Sequence, residues 1–150
     1  SAARVTRSII PAGMNFLVDL AELKIEYQGA TFATRRSVIK NYPNLTLRTV
    51  RAIVRGVHLF RTRREEAHKI LVKFLGTRDP EALEESWKNG ADMPAKPYAV
   101  DSAVQAVINH LAEGDPKYAK FKPAEFIESG PLAELDKSGY IDRLYAGSGK

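Results

Sequence analysis

The sequence predicts a strongly helix-rich α/β fold, in which short strands come first and a long run of helices follows. After residue 34, apolar residues recur at steps of three and four, which is the spacing of an amphipathic helix face. Strand-like runs are limited to residues 15–20 and 26–34. A doubly wound parallel sheet needs strands that alternate with helices, so this chain is not expected to build such a domain by itself.

Two segments near the start favour β-structure. Residues 15–20 follow a proline and glycine turn signal and are mostly apolar. Residues 26–34 contain Tyr27 and Phe32, which suit a pleated surface, and Gly29, which marks a bend or a close backbone approach. We therefore expect a strand over each segment.

The longest predicted helix covers residues 44–62. A short helix over residues 34–41 precedes it and ends at Tyr42, because a residue before proline is disfavoured in the helical conformation. Pro43 then opens the long helix. Its apolar stripe consists of Leu47, Val50, Val54 and Val57. Its opposite face carries Arg48, Arg51 and Arg55. This pattern predicts a surface helix with a basic outer face.

The next two helices are marked by their ends. One covers residues 64–75, and Gly76 stands where a C-terminal stop is expected. The apolar stripe of this helix is predicted to contain Ala67, Ile70, Leu71 and Phe74. The following helix starts with Asp79 as N-cap and Pro80 in the first turn, and it ends near residues 89–90. It is predicted to bury Leu83 and Trp87.

The last third of the chain is predicted to contain one regular helix and several short ones. Pro94 and Pro97 force an extended connection, after which Asp101 is expected to cap a helix. The apolar face of that helix is predicted from Val104, Val107, Ile108 and Leu111. Short helical pieces are expected over residues 123–127 and 131–135, with Ile141 and Leu144 as the final anchors. Residues 146–150 are expected to form a mobile tail.

The composition predicts a soluble globular domain. The hydrophobic content of 44% is enough for a packed core, and no apolar run reaches the roughly 18 residues that cross a bilayer. The absence of cysteine excludes disulfides, thiolate metal sites and cysteine nucleophiles. The net charge of +5 suits an anionic partner, whether nucleic acid, an acidic membrane surface or an anionic solute.

The residues that usually carry catalysis do not form a recognisable pattern. His58, His68 and His110 lack a paired metal-ligand spacing, although the first two could meet in space. No serine stands in a nucleophile-elbow motif, and the adjacent carboxylates point to different faces of their helices. We therefore expect no enzyme activity, no metal and no cofactor.

The ordered series of short motifs resembles a known protein family over nearly the whole chain. These motifs are Val18–Leu23, Tyr27–Gly29, Tyr42–Pro43, Asp79–Glu81, Met93–Pro94, Lys122–Phe126 and Ser138–Ile141. In this order and spacing they resemble the C-terminal part of solute-binding proteins of ABC importers, in the group that includes nitrate, taurine, alkanesulfonate and thiamine-precursor binders. Such proteins have the type II periplasmic-binding-protein fold, in which two lobes close on a small molecule.

The resemblance implies a division of the chain. Residues 1–26 would form the end of the second lobe and the strand that returns from it. Residues 27–145 would form the crossover strand and the helical part of the first lobe. Residues 146–150 would be a flexible tail. It also implies that the chain continues a longer, exported protein, periplasmic or extracellular and associated with a membrane. The missing N-terminal part of that protein and the permease subunits would be its partners.

The resemblance also places three residues near the ligand cleft. The crossover strand would start beside the cleft, so Tyr27 and Gln28 are expected to contact the solute through a ring, a hydroxyl and an amide. Ser1 is expected to face the solute from the second lobe. The identity of the solute is not implied, because the glycine-rich and aromatic segments of the first lobe that mostly define ligand choice are not among these residues.

A basic helical nucleic-acid-binding domain is the alternative. Eight arginines stand within thirty residues, namely Arg35, Arg36, Arg48, Arg51, Arg55, Arg61, Arg63 and Arg64. A basic helix can neutralise phosphates, and two helices that join near Arg63 superficially suggest a helix-turn-helix. The junction has no glycine turn, however, and Glu65 and Glu66 follow it directly. A solvated helix face explains the same arginines without a ligand.

Overall fold

The computed structural model describes residues 31–147. This part of the chain contains seven α-helices and two short 3-10 helices, which confirms the predicted helix-rich character. The α-helices are α1 (Arg36–Asn41), α2 (Pro43–Thr62), α3 (Arg64–Leu75), α4 (Pro80–Ala91), α5 (Asp101–Gly114), α6 (Gly130–Lys137) and α7 (Tyr140–Ala146). The first and second 3-10 helices are Pro116–Lys120 and Pro123–Glu125.

The predicted strands are not part of the described fold. The strand over residues 15–20 lies outside the described residues, as does the start of the strand over residues 26–34. Its remaining part, residues 31–34, is described and forms no strand, so the prediction is wrong there. A strand needs a neighbour to bond its backbone, and the described residues offer none. Instead, the extended backbone of Arg35 leads directly into α1.

Helix α2 is the centre of the described fold. It packs against α1, α3, α4, α6 and α7. The main core joins Val54 of α2 to Leu132 and Leu135 of α6 and to Ile141 of α7. Leu47 and Val50 pack at its edge, so the predicted stripe of the long helix is confirmed.

Helix α3 buries a narrower stripe than its sequence predicts. Ala67 and Leu71 are buried, but Ile70 is 46% exposed and Phe74 is 85% exposed, so the inward placement of these two residues is wrong. The physical reason is the limited set of neighbours. Among the described helices, α3 packs only against α2 and α4, which cover one side of it.

Of the capping residues Gly76, Asp79 and Asp101, the first two are confirmed. The side chain of Asp79 accepts a hydrogen bond from the backbone N–H of Glu81 at 2.9 Å, as an N-cap does. Gly76 adopts a left-handed conformation with φ of 68°, as a C-terminal stop requires. Asp101, however, is the first residue of α5 and not its N-cap. Val100 is extended and its carbonyl already accepts the N–H of Val104 at 3.0 Å, so the helix starts one residue earlier.

Helix α5 packs against the two 3-10 helices and against no other described helix. Ala103 and Ile108 are its buried residues, whereas Leu111 of the predicted apolar face is 46% exposed. The guanidinium of Arg36 donates a hydrogen bond to the carbonyl of Glu125, which ties α1 to the second 3-10 helix. Among the described helices, none has the length and apolar character that crossing a bilayer would need.

Candidate functional site

The predicted ligand contacts lie outside the described residues. Ser1, Tyr27 and Gln28 all precede residue 31, so their placement at a cleft stays a prediction. The described part that follows them, residues 31–35, is exposed and leads into α1. The sites described below therefore lie on the helices after this segment.

Helices α2 and α4 cap each other at their C-terminal ends. The indole N–H of Trp87 donates to the carbonyl of Phe60 at 2.8 Å, near the end of α2. In return, the guanidinium of Arg61 donates to the carbonyl of Ala91, the last residue of α4, at 3.2 Å, and also to that of Met93. The last carbonyls of a helix have no partner within it, so these bonds satisfy groups that would otherwise need water.

A charged cluster, here called the Glu84 cluster, lies at the contact of α3 with α4. Both Nε and a terminal nitrogen of Arg64 donate to one carboxylate oxygen of Glu84, at 3.0 and 2.6 Å. His68 Nε2 lies 3.4 Å from the same oxygen, and Lys88 Nζ lies 3.8 Å from the other. Arg64 also covers the ring of Trp87 at 5.3 Å. The cluster holds α3 against α4 through one acidic residue that three basic ones share.

Glu84 is held in its charged form. Burial of the carboxyl raises its pKa, but the hydrogen bond from Arg64 and the charges of Arg64, Lys88 and His68 outweigh burial, so the pKa is lowered overall. A carboxylate that stays charged and bound by its own neighbours is poorly suited to act as a general base. We interpret the cluster as structural.

A second charged cluster, here called the Lys96 clasp, joins the connection after α4 to helices α6 and α7. Lys96 Nζ lies 2.7 Å from Asp136 Oδ1 and 3.0 Å from Asp142 Oδ1. The hydroxyl of Tyr98 donates to the other oxygen of Asp136 at 3.0 Å. The hydrogen bonds from Lys96 to Asp136 and then Asp142 raise the pKa of Lys96 to about 12. The clasp thus holds an otherwise irregular segment against the end of the chain.

Replacing Lys96 by methionine should destabilise the protein in a pH-dependent way. The raised pKa of Lys96 means that its contribution is fully present below the ordinary value of 10.5 and is lost as pH rises through about 12. The pKa of Asp136 is lowered, mainly by the hydrogen bond from Lys96, so its contribution is present above the ordinary value of 3.8 and is lost as pH falls through the lowered pKa.

Urea unfolding of wild type and Lys96→Met at several pH values measures this difference. We expect it to be largest between those limits and to shrink at either extreme. Lys73→Met is the matched control, since Lys73 is exposed on α3 and makes no ion pair with another described residue. Equal effects of the two substitutions at neutral pH would contradict a stabilising clasp.

The histidines contact different side chains and do not form a shared site. His58 meets the ring of Tyr145 edge to face, with ring centroids 4.8 Å apart. His68 lies in the Glu84 cluster, and His110 is 3.7 Å from Glu113 on the exposed side of α5. Within residues 31–147, no group of three histidine or acidic side chains is arranged to hold a metal ion.

Seven of the eight arginines of the predicted basic region divide into two groups, and the eighth, Arg35, is exposed directly before α1. Arg36, Arg61 and Arg64 are held by the contacts given above, and Arg63 pairs with Glu66 at 3.1 Å. The second group, here called the basic face, consists of Arg48, Arg51 and Arg55 on the outer side of α2. All three are exposed, as the sequence predicts. The guanidinium of Arg51 lies over the ring of Tyr140 at 5.3 Å.

The basic face is the described surface best suited to bind another molecule. Arg48 and Arg55 make no ion pair with any other described residue, so their guanidinium groups are available for carboxylates or phosphates. The periodicity of the sequence predicts the basic face, because the three arginines belong to a single helix. The Glu84 cluster and the Lys96 clasp were missed, because their members are distant in sequence and carry no motif.

Comparison with known proteins gives no relative. No family profile and no curated protein matches the sequence, and no solved structure matches the fold. The function is therefore inferred from the sequence resemblance and from the contacts of the described residues.

Proposed function

We propose that this chain is the C-terminal portion of the solute-binding component of an ABC importer. It would help to capture a small organic or anionic solute between two lobes and deliver it to a membrane permease. The fold proposed for the whole protein is the type II periplasmic-binding-protein fold, with the described helices covering the first lobe. The proposed location is the periplasm or the cell exterior, at the membrane.

The main support for the proposal is the position of the family-like motifs relative to the described helices. Tyr42–Pro43 separates α1 from α2, Asp79–Glu81 starts α4, and Met93–Pro94 lies in the connection after α4. Lys122–Phe126 surrounds the second 3-10 helix, and Ser138–Ile141 surrounds the start of α7. The five motifs within the described residues therefore lie at or next to helix boundaries, whereas Val18–Leu23 and Tyr27–Gly29 lie outside those residues. A shared order of these five motifs supports a shared order of helices.

Uncovered apolar side chains also support the proposal. Large apolar residues on described helices or directly beside them are exposed, among them Leu45, Ile70 and Phe74 on helices and Tyr42 and Phe126 at helix ends. Helices that cover a sheet present such residues to it, because a sheet face and a helix stripe bury each other. A larger lobe around these helices would account for apolar surface that the described residues leave open.

Solute capture of this kind makes and breaks no bond. The solute contacts both lobes in the closed arrangement and one lobe in the open arrangement, so binding stabilises closure. The permease then recognises the closed form. In this mechanism Tyr27, Gln28 and Ser1 would contact the solute, and the helices described above would hold the first lobe rigid. No catalytic residue is part of the proposal.

The alternative function, nucleic-acid binding, is favoured by the basic face alone. Against it, α2 and α3 are separated by a single residue, Arg63, which leaves no room for the three- or four-residue turn of a helix-turn-helix. Titration with duplex and single-stranded DNA at two salt concentrations tests this alternative, since phosphate binding weakens steeply with salt. Absence of binding at low salt would eliminate it.

The test of the proposed function starts from the reading frame that encodes this chain. We expect it to encode an export signal and a preceding lobe. Thermal unfolding of the encoded protein with nitrate, taurine, alkanesulfonates and thiamine precursors would then identify the solute. A solute at a hundred times its Kd stabilises by about 2.7 kcal/mol, which is readily measured. Without an export signal, and with no stabilising solute, the proposal would be abandoned.

Alanine at Tyr27 or Gln28 tests the cleft in the same protein. Each substitution removes hydrogen-bonding groups, which are worth about 0.5–1.5 kcal/mol each, so the solute affinity should fall up to about tenfold. Substitution of the exposed Asn44 by alanine is the control and should leave the affinity unchanged. Wild-type solute affinity in both cleft variants would remove these residues from the site.

A further inference from the structure

The basic face is an array of three charges that the described residues do not neutralise. Arg48, Arg51 and Arg55 follow at steps of three and four along about 10 Å of α2, a spacing at which like charges repel each other. Helix α2 contains no aspartate or glutamate. Among the described residues, the ring of Tyr140 lies under Arg51, and no carboxylate pairs with any of the three arginines. Relief of the repulsion therefore needs carboxylates from outside the described residues.

The first thirty residues of the chain contain acidic side chains with the same spacing. Their three acidic residues are Asp19, Glu22 and Glu26, which also follow at steps of three and four. An aspartate that is followed three residues later by a glutamate, among apolar residues, is a sequence signature of a helix start. In a helix over residues 19–26, which would replace the end of the strand predicted over residues 15–20, the carboxylates would share one side over about 10 Å. This acidic array equals the basic face in length and is opposite to it in charge.

A second stripe beside each charged array bears on how the two segments would fit. Next to its arginines, α2 exposes small and apolar residues, namely Leu45, Thr49, Ala52 and Gly56. A Cβ added at Gly56 would meet no atom within 4 Å, so the backbone of another element can come close here. In a helix over residues 19–26, Leu20 and Leu23 would stand next to the carboxylates. In both helices the second stripe follows the charged one by about 100° in the same rotational sense.

The two pairs of stripes match each other only when the helices are antiparallel. In that orientation the rotational senses are mirrored across the contact, so carboxylates face guanidinium groups while Leu20 and Leu23 face the small residues of α2. Charge-assisted hydrogen bonds and apolar contacts would then form side by side. In a parallel orientation each charged stripe would face an apolar one, which would leave the charges without partners.

The connection to α1 is long enough for this orientation. Residues 27–35 join Glu26 to α1 and can span up to about 30 Å when extended. Helix α1 packs against α2, and Arg48 stands about 8 Å from Pro43 along the axis of α2. Because both segments belong to one chain, they meet at a high effective concentration, so ion pairs that are individually weak can hold the contact.

We propose that residues 19–26 cover the basic face as an antiparallel helix. The proposed pairs are Asp19 with Arg55, Glu22 with Arg51, and Glu26 with Arg48. The occupant of the basic face is then a segment of the same chain, and an external phosphate or acidic protein has to displace it. The inference does not rest on the proposed function, because both sides of the contact lie within this chain.

Charge reversal in the 150-residue chain tests the proposed pairs. One variant replaces the three arginines of the basic face by glutamate, a second replaces Asp19, Glu22 and Glu26 by lysine, and a third combines both sets. Each single set should lower the urea midpoint measured by circular dichroism, because like charges then face each other. The combined variant should regain most of the loss, since the pairs are restored with reversed sign.

A charge-matched control separates these pairs from an effect of net charge. Lys69, Lys73 and Lys137 are exposed on α3 and α6. Their replacement by glutamate, together with the lysine substitutions of the acidic set, gives the same net charge as the combined variant but should not regain the midpoint. Equal midpoints in these two proteins would overturn the proposal. If a triple reversal loses its helical circular dichroism, Glu22→Lys and Arg51→Glu take its place under the same expectations.

Cross-linking tests the orientation, because the chain has no cysteine of its own. Asp19→Cys with Arg55→Cys should be joined within one chain by a short bismaleimide, and Asp19→Cys with Arg48→Cys should be joined much less. Equal yields or the reverse order would overturn the proposed docking. Covalent dimers in place of internal cross-links would assign the basic face to a second copy of the chain. Wild-type binding of duplex DNA that the arginine variant loses would show that the face is open, and the proposal would fall.

Discussion

Replacing Ile141 by alanine is expected to lower the free energy of unfolding by about 2–5 kcal/mol. Ile141 is 0% exposed and lies in the core that joins α7 to α2 and α6. Its removal leaves a cavity that Val54, Leu132 and Leu135 would have to fill. Small domains are stable by only about 5–15 kcal/mol, so the loss is a large share of the total.

Urea unfolding followed by circular dichroism measures this effect. The midpoint should fall while the dependence on urea concentration stays the same, which shows that stability and not compactness has changed. Lys73→Ala is the control, because Lys73 is exposed on α3 and the change should stay within about 0.5 kcal/mol. If both substitutions have the same effect, the placement of the core is wrong.

Replacing Trp87 by alanine is the second change with a large expected effect, about 3–5 kcal/mol. Trp87 is half-buried between α2 and α4, bonds the carbonyl of Phe60 and lies under the guanidinium of Arg64. The substitution removes the ring, the cation contact and the cap of α2 together. It should therefore loosen the joint between α2 and α4 as well as lower stability.

Trp87→Phe separates packing from hydrogen bonding. Phenylalanine keeps most of the ring but cannot donate to Phe60, so its cost should be about 0.5–1.5 kcal/mol. Urea unfolding by circular dichroism compares all three proteins. Trp87 is also the single tryptophan of the sequence, so its fluorescence in the wild type reports on this joint directly. Equal costs for the phenylalanine and alanine variants would show that the ring does not pack as described.

Local signals predicted most of the described helices. Pro43 opens α2, Asp79 and Pro80 start α4, and Gly76 ends α3, because each of these residues acts on the backbone within one turn. The prediction for Asp101 was wrong because Val100, and not Asp101, is the N-cap residue of α5, although an aspartate side chain suits that position. The start of α4 was predicted correctly because it depends on the side chain of Asp79. The start of α5 was misplaced by one residue because it depends on the backbone of Val100.

The width of a buried stripe is harder to predict than its existence. Periodicity places Ile70 and Phe74 on the same side of α3 as Ala67 and Leu71, yet only the last two are buried. Burial depends on how many elements reach the stripe, and α3 has two such neighbours among the described helices. The sequence of α3 alone cannot contain this information.

The basic face was predictable, whereas the two charged clusters were not. Arg48, Arg51 and Arg55 share a side of α2 because helical geometry requires it, whatever the rest of the protein does. Arg64 meets Glu84, and Lys96 meets Asp136 and Asp142, only because separate helices pack in one arrangement.

The sequence by itself determined that most of residues 36–146 form amphipathic helices, and that α2 presents arginines on one side and apolar residues on another. These features depend on backbone geometry over a few residues. The tertiary structure decided which apolar residues are buried, which arginines are bound, and how α2 and α4 satisfy each other's last carbonyls. Such contacts join residues far apart in the chain, and only the packing of whole helices brings them together.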